Sequence, residues 1–263
     1  MDNKLLFRNT LDFVLDLLFP KYCVGCGEES KWLCSKCADK IILIKTPTCP
    51  TCQKITKNGQ FCSRCRTKTS LTGVMVAAYY GEGPLKEAIH TFKYDGIFDL
   101  AKDLGKILLT RLTHIPLPLI RLASERPEFH RRTKWNMGNV VIIPIPLHKK
   151  RQAKRGFNQA ELLAKQLKIK NEKLKTKNWT IITNKLIRHK YQKKSQAELS
   201  GKARRINLKE SFSWVGDKNE LKGKIILLVD DVYTTGSTLN ECAKVLRREA
   251  GASQVWGLVL AKA

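Results

Sequence analysis

The sequence predicts an α/β protein in which a parallel sheet flanked by helices follows a small cysteine-rich module. Three observations lead to this prediction. The apolar run from Lys224 to Val229 is followed by two acids, a hydroxyl-rich loop and a helical pattern, as in a strand–loop–helix unit of a parallel sheet. Eight of the nine cysteines form four Cys-x-x-Cys pairs near the N-terminus. The 263 residues are enough for one such sheet domain plus a small module.

The first segment, residues 1–22, is predicted to be an amphipathic helix. Apolar residues recur at helical spacing from Leu11 to Leu18, and Pro20 ends the pattern. Asp12 and Asp16 interrupt the apolar stretch and no small-residue cleavage site follows, so a signal peptide is not expected. We expect the helix to pack on its own protein, with docking on a membrane or a partner as the alternative. No run approaches the ~20 apolar residues of a membrane span.

The second segment, residues 23–68, is predicted to bind two structural zinc ions. A tetrahedral zinc takes four thiolates, and a two-residue spacer lets one tight turn offer two of them. Two such pairs complete a site with protein ligands alone, which is typical of structural zinc. Sequential pairing predicts one set of ligands from Cys23, Cys26, Cys34 and Cys37 and another from Cys49, Cys52, Cys62 and Cys65. An interleaved arrangement of the pairs stays open.

The alternatives to zinc are a disulfide framework and a redox dithiol. Disulfides need an oxidising compartment, and the absence of a signal sequence argues against one. Redox chemistry needs one dithiol rather than four evenly spaced pairs. Cys242, which stands apart on the predicted helix after the loop, is expected to be a small buried hydrophobe.

The run from Ile226 to Thr238 places polar groups directly after a strand. Asp230 and Asp231 follow its apolar residues, and their carboxylates can accept hydrogen bonds from vicinal sugar hydroxyls. The loop that follows the two acids can turn backbone N–H groups and hydroxyls toward an anion at a helix N-terminus. A glycine in it lets the backbone approach the anion closely. Its residues are Thr234, Thr235, Gly236, Ser237 and Thr238. A sugar phosphate fits both halves, while an acidic turn before a capped helix is the plainer alternative.

This run resembles the signature with which type I phosphoribosyltransferases bind 5-phosphoribosyl 1-pyrophosphate (PRPP). Four apolar residues, two acids and two further residues precede Thr-Thr-Gly-x-Thr, and Tyr233 is the one mild departure. The resemblance implies that Asp230 and Asp231 hold the ribose hydroxyls and that residues 234–238 hold the 5′-phosphate. It also implies Mg²⁺ as the ion that accompanies PRPP.

The charge is strongly positive, with 49 Lys and Arg against 23 Asp and Glu and a net charge of +26. Much of it lies between Lys149 and Arg205, where only Glu161, Glu172 and Glu198 are acidic. A polyanion partner is the natural inference, although part of this charge is equally consistent with a lysine-rich solvated surface.

A second strand is predicted within residues 142–146. It ends in a loop whose first residues are Pro144, Ile145 and Pro146. The residues from His148 to Phe157 then bring a cluster of cations into the same loop. The cluster consists of Lys149, Lys150, Arg151, Lys154 and Arg155. Such cations suit a pyrophosphate or the backbone of single-stranded DNA.

Several blocks resemble the competence protein F family (ComF/ComFC). They are Pro144-x-Pro146-Leu147-His148, the run from Arg155 to Ala164, Gln196-x-x-Leu199, and Arg204-x-x-Asn207 with Phe212. The paired cysteine knuckles and the opening Leu-Phe-Pro before Cys23 belong to the same resemblance. It implies a type I phosphoribosyltransferase-like parallel sheet flanked by helices in residues 69–263, behind a zinc-ribbon module.

The same resemblance implies roles for the remaining blocks. Pro144, Ile145 and Pro146 would form the pyrophosphate-side loop, with Arg151 and Arg155 near the anion. The segment from Arg188 to Arg205 would be a mobile loop that covers the site through Gln196, Arg204 and Arg205. Lys93, in a turn that the family also carries, is expected to be a surface or capping lysine, with contact to the ligand as the alternative. Residues 111–139 are predicted to be an irregular insert.

Two functions follow from these features. The first is a cytoplasmic competence protein of natural transformation that binds single-stranded DNA and a phosphoribosyl ligand. Its further partner would be the DNA-uptake machinery at the inner membrane face, where the protein would be peripheral. The alternative is an active phosphoribosyltransferase that uses PRPP and Mg²⁺ on an unidentified nitrogen acceptor. No base-recognising hood is evident in the sequence, so the acceptor cannot be named.

Overall fold

The structure is a computed structural model that describes Leu18 and residues 20–113, 140–173, 179–189 and 211–263. Seven strands lie within these ranges: β1 Gly73–Tyr79, β2 Val140–Pro144, β3 Trp179–Ile181, β4 Leu186–Arg188, β5 Phe212–Trp214, β6 Ile225–Tyr233 and β7 Gln254–Lys262. The helices there are α1 Ser35–Asp39, α2 Ser63–Arg66, α3 Pro84–Tyr94, α4 Leu100–Thr113, α5 Lys149–Arg155, α6 Gln159–Lys173 and α7 Ser237–Ala250. A short 3₁₀ turn covers Lys57–Gly59.

Five strands form one sheet in the order β1-β7-β6-β2-β3, and every pair in it is parallel. Strands β2 and β6 are near-continuous apolar runs because helices cover both faces of a parallel sheet. β6 is longer than the predicted strand: its pairing with β7 continues to Tyr233, opposite Lys262. The two acids therefore lie on the strand itself rather than directly after it.

The two faces of the sheet carry separate apolar cores. On one face, α3, α4 and α6 pack their buried side chains, such as Phe92, Leu104 and Leu163, against Leu227 and Val229. On the other face, α7 packs against strand residues such as Ile226, and the antiparallel pair β4–β5 lies over the same core. The result is a three-layer α/β/α arrangement.

The cysteine-rich module covers the β1 edge of the sheet. Ile44 N–H donates to Ala77 O at 2.9 Å, and Tyr79 N–H donates to Ile42 O at 3.1 Å. Isolated antiparallel bridges join Leu43 to Ala78 and Gln60 to Gly73. An edge strand left open is a template for aggregation, so this cover protects the sheet as well as joining the two parts of the chain.

Some predicted features fall outside the described residues. These are the N-terminal helix up to position 17, most of the 111–139 insert, and positions 190–210. Residues 111–113, which we assigned to the insert, form the last turn of α4, and Arg111 donates to Ile44 O at 2.9 Å. Within the described ranges, no helix combines the length and apolarity needed to cross a bilayer.

Candidate functional site

The candidate site lies where β6 and β2 end side by side. Pro144 pairs with Val229, and Ile145 N–H donates to Val229 O at 2.9 Å, so the loop after β2 lies beside Asp230. The chain leaves β2 through α5 and α6 on one face of the sheet and leaves β6 through α7 on the other. In open α/β sheets, ligands bind in the crevice formed at such a switch point, at the carboxyl ends of the strands.

The two adjacent acids have different neighbours because side chains alternate along a strand. Asp231 faces the layer that contains α3, where its Oδ1 lies 2.9 Å from Lys93 Nζ. Asp230 faces the layer that contains α7 and β4, where Arg188 is close enough to act on its charge. Asp230 Oδ1 also accepts the backbone N–H of Asp231 at 2.9 Å.

The electrostatics of Asp230 suit a group that meets a ligand. Burial, with the adjacent Asp231 charge, raises the pKa of Asp230 to about 7. The Asp231 N–H and the nearby cations Lys93 and Arg188 oppose this shift without cancelling it. Perturbed acids in a crevice are typical of functional sites, so Asp230 is a candidate for ligand binding or proton transfer.

Lys93 lies beside the acid pair, so the expectation of a surface or capping lysine was wrong, and the alternative that it reaches the ligand stays a prediction. It lies in the last turn of α3 rather than in a turn of its own, and its side chain is only 19% exposed. Burial opposes its charge, but the neighbouring Asp231 carboxylate, together with Asp230, raises the pKa of Lys93. The helix C-terminus, which favours a cation, places the ammonium against the acid.

The loop between β6 and α7 has the form of an anion cradle. Thr234 and Thr235 are exposed, and Thr235 Oγ1 lies 2.8 Å from Ser237 Oγ. Gly236 adopts a left-handed conformation (φ 71°) at the helix N-cap, and a Cβ there would meet the Tyr233 ring at 2.5 Å. Only glycine fits both constraints. Tyr233, the departure from the signature, is buried beneath the loop and supports it.

The β2 side of the crevice is held by a buried amide. Asn158 Nδ2 donates to Ile145 O at 3.0 Å, and its Oδ1 accepts Ala160 N–H at 3.1 Å, which ties the proline-bounded loop to the start of α6. The sequence contained this residue within a family block without showing its role. Pro144 ends β2 and is buried, whereas Pro146 is half-buried at the crevice.

The cation cluster forms a helix, so its assignment to a loop was wrong. His148 caps α5 by accepting Lys150 N–H at Nδ1 (3.2 Å), and Gly156 in a left-handed conformation ends it. Lys149, Lys150 and Lys154 are exposed, whereas Arg151 and Arg155 are half-buried. A helix groups these charges on a short rigid element beside the β2 loop.

Of the segment predicted to cover the site, the structure describes only its start. Arg188 lies in β4, is 7% exposed, and stacks over the Phe212 ring at 5.4 Å. Burial lowers its pKa, and the positive charge of Arg151 adds to the effect, which places the two arginines near each other and near Asp230. Gln196, Arg204 and Arg205 lie outside the described residues.

The cysteines form two separate groups, with sequential pairing. Cys23, Cys26, Cys34 and Cys37 make one cluster, and Cys49, Cys52, Cys62 and Cys65 make the other. In each cluster, all ligand sulfurs lie within 4.8 Å of one another. The interleaved alternative is excluded by this arrangement.

The geometry of both clusters fits zinc. Sγ atoms of Cys26 and Cys34 are 3.8 Å apart and those of Cys52 and Cys62 are 3.6 Å apart, close to the edge of about 3.8 Å that a Zn–S distance of ~2.3 Å gives a tetrahedron. The Lys54 N–H and neighbouring sulfurs lower the pKa of Cys52 to about 6. Burial and adjacent sulfurs raise the pKa of Cys65 to about 12, a crowding of thiolates that a divalent cation would relieve. These features support two structural zinc ions.

Comparison with known proteins agrees with both parts of the chain. Residues 14–66 match the double zinc ribbon domain family, and residues 128–262 match the phosphoribosyl transferase domain family. The second match, together with the parallel sheet and its flanking helices, confirms the predicted fold class.

Similar proteins align along most of the chain. Competence protein F of Haemophilus influenzae is 32% identical over 87% of this chain and 96% of its own length. DNA utilization protein YhgH of Escherichia coli is 29% identical over 86% of this chain and 89% of its own. Competence protein ComFC of Bacillus subtilis is 25% identical over 87% of this chain and 83% of its own.

Proposed function

Because this chain belongs to the competence protein F family, we propose that it serves DNA uptake in natural transformation by binding single-stranded DNA and a phosphoribosyl ligand of the PRPP type. The observation that supports this most directly is the acid pair and anion cradle at the end of β6. The competence role itself rests on relatives that align over 83–96% of their own length. Its further partner in this proposal is the DNA-uptake machinery at the inner face of the membrane.

The crevice offers a group for each part of PRPP. The hydroxyls and N–H groups of residues 234–238 suit the 5′-phosphate at the N-terminus of α7. Asp230 and Asp231 suit the vicinal ribose hydroxyls, since a carboxylate is an acceptor only. Arg151 and the buried Arg188 supply positive charge on the side where the pyrophosphate would lie.

The donor set also fits Mg²⁺, which prefers carboxylate and phosphate oxygens and keeps several waters. Asp230 and Asp231 are the carboxylates in the crevice that would approach it, and the ion would supply charge neutralisation to the pyrophosphate. The chain's own residues orient the ribose through this pair, while Lys93 keeps the Asp231 side chain in place at 2.9 Å.

We expect PRPP affinity to fall as pH drops from 8 to 6. Asp230 has a pKa of about 7, so at pH 6 only about a tenth of the molecules carry the carboxylate that accepts a ribose hydroxyl. The expected loss is about tenfold, measured by titration calorimetry at several pH values. Phosphate groups of the ligand also titrate near pH 6, so the Asp230→Asn variant provides the baseline.

The stability of the protein gives the same group an opposite dependence. A folded pKa of about 7, above the unfolded value near 3.9, means that the folded state holds a proton which the unfolded chain releases. The contribution of this group to folding stability is therefore complete below about pH 4 and is lost as pH rises from there through 7.

The control for the binding prediction is the pH profile of Asp230→Asn. Equal pH profiles of PRPP binding in the wild type and in Asp230→Asn would show that Asp230 is not the titrating group.

The DNA-binding face in this proposal is α5. Its seven residues, KKRQAKR, include five cations and no acid, and all three of its lysines are exposed to solvent. Phosphate contacts supply most of the affinity of sequence-independent DNA binding, and they make that affinity depend on salt. The helix lies next to the β2 loop, so a bound strand would pass close to the phosphoribosyl crevice.

Replacing Lys149, Lys150 and Lys154 together with Gln is expected to weaken binding of single-stranded DNA and to flatten its salt dependence. Each phosphate that a lysine no longer neutralises reduces the slope of log affinity against log salt by about 0.7. Fluorescence anisotropy with a labelled oligothymidylate at several salt concentrations measures both quantities. Arg155 is left in place because its guanidinium packs on Tyr94.

The matched control replaces Lys218, Lys222 and Lys224 with Gln. These lysines precede β6, at the opposite end of the sheet, and the change in net charge is the same. The proposal requires the α5 variant to lose more affinity and more slope than this control. Equal losses of affinity and salt slope in the two triple variants would show that the DNA binds elsewhere or is held only by general charge attraction.

A further inference from the structure

Two aromatic side chains stand exposed where α3 ends and the next turn begins. Tyr94 is 58% exposed and Phe98 is 63% exposed. Single exposed aromatics are ordinary on protein surfaces. These two, which we call the aromatic ridge, contact residues at and just beyond the C-terminal end of the basic helix α5.

Each ring of the ridge contacts a residue near that end of α5: Arg155 is the last residue of the helix, and Phe157 lies two residues beyond it. The guanidinium carbon of Arg155 lies 5.2 Å from the centroid of the Tyr94 ring. Phe98 meets Phe157 edge-on with centroids 6.1 Å apart, and Phe157 in turn contacts the buried Phe92 at 5.5 Å. The Tyr94 ring also contacts the His90 ring, with centroids 4.8 Å apart. Both rings are thus held by neighbours while more than half of each side chain stays exposed, which limits the entropy lost when a base packs on them.

The ridge begins at the C-terminal end of α3, which borders the phosphoribosyl crevice. Lys93, which precedes Tyr94, forms the ion pair with Asp231. On the other side, α5 presents its exposed lysines without an acid among its own residues. Proteins that bind single strands combine exposed aromatic rings with nearby cations, because bases stack on the rings while phosphates meet the charges.

We propose that Tyr94 and Phe98 are a stacking platform for bases of single-stranded DNA, whose phosphates lie along α5. This inference rests on the proposed DNA-binding face. It adds that the protein contacts unpaired bases as well as the charged backbone. Bases in a duplex already stack on each other and present no free face, so the ridge would select single strands.

The test compares Tyr94→Ala and Phe98→Ala for affinity to an oligothymidylate of about 20 nucleotides and to a duplex of equal length. Loss of a stacking ring is expected to weaken single-strand binding roughly fivefold to a hundredfold for each residue. The salt slope should stay unchanged, since no charge is removed. Duplex affinity should change by less than about twofold.

Further variants separate stacking from folding. Tyr94→Phe and Phe98→Tyr keep a ring and should retain the affinity, whereas Tyr94→Leu and Phe98→Leu keep apolar bulk and should not. Tyr79→Ala is the matched control, because Tyr79 is exposed to a similar extent (59%) on β1 and has no described contact with α5.

The outcomes distinguish this inference from the function on which it rests. If the lysine variants of α5 lose binding while both alanine variants bind as the wild type does, the ridge is only surface and the DNA-binding face stands. If neither the lysine variants nor the alanine variants lose affinity for single-stranded DNA, α5 is not the DNA-binding face. Equal losses for duplex and single strand, or full affinity in the leucine variants, would also overturn the stacking platform.

Discussion

Asp230→Asn is expected to weaken PRPP binding about tenfold to a hundredfold, and Asp230→Asn with Asp231→Asn at least about a hundredfold. A hydrogen bond to a charged group contributes roughly 1.5–3 kcal/mol, and each substitution removes the charge of one acceptor with almost no change in volume. Titration calorimetry of PRPP with Mg²⁺ measures both effects.

The two substitutions differ in what they do to the rest of the protein. Asp231→Asn leaves the Lys93 ammonium, which is largely buried, without its partner at 2.9 Å, so the double variant should be less stable. Asp230→Asn keeps that ion pair and removes a carboxyl whose raised pKa already disfavours its charge. The single variant therefore gives the cleaner result, with unchanged circular dichroism and zinc content.

Asp99→Asn with Asp103→Asn is a suitable control. Both acids form ion pairs with lysines on the surface of α4. The two substitutions therefore remove as much negative charge as the double variant of the crevice does, but at a different place. PRPP binding should be unaffected in this variant. If the Asp230→Asn/Asp231→Asn variant binds PRPP with wild-type affinity, the crevice is not the phosphoribosyl site.

Removal of zinc is expected to unfold the cysteine-rich module. Zinc binding contributes about 10–16 kcal/mol of apparent free energy to zinc-finger peptides at pH 7, and this module buries few side chains besides its cysteines. Because the module covers the β1 edge, its loss would expose a strand that can pair with other chains. Treatment with a chelator should therefore cause loss of structure by circular dichroism followed by aggregation.

Single ligand variants test the two sites separately. Cys26→Ser and Cys52→Ser change the sulfurs that are exposed or half-buried, so the loss of packing is small. The two clusters share no ligand, so each variant should retain one zinc per chain where the wild type holds two. A wild-type protein with one zinc, or one that keeps its fold after the metal is removed, would contradict the assignment.

The sequence was sufficient for features that depend on neighbours along the chain. The signature at residues 226–238 contains the strand, the acids and the glycine turn in one run, and the structure places them as strand, acids and N-cap. The cysteine spacing predicts zinc for the same reason. The pairing of the knuckles could not be predicted, because it depends on how the chain folds between them.

Features that depend on contacts between distant elements could not be predicted. Lys93 reaches Asp231 because α3 and β6 end at the same edge of the sheet, and nothing in its own sequence context shows this. Arg188 approaches Asp230 only because β4 and β5 pair and lie over α7. The helical form of residues 149–155 depends on caps at His148 and Gly156, whereas the prolines before them favoured a loop.

The most direct test of the proposed function is a calorimetric titration of PRPP with Mg²⁺ into the zinc-loaded protein, with and without a short single-stranded DNA. We predict saturable binding of one PRPP per chain, and an affinity that changes when DNA occupies the adjacent face. Absence of saturable binding in protein that carries two zinc ions would contradict the proposed function and leave the phosphoribosyltransferase-like fold without its ligand.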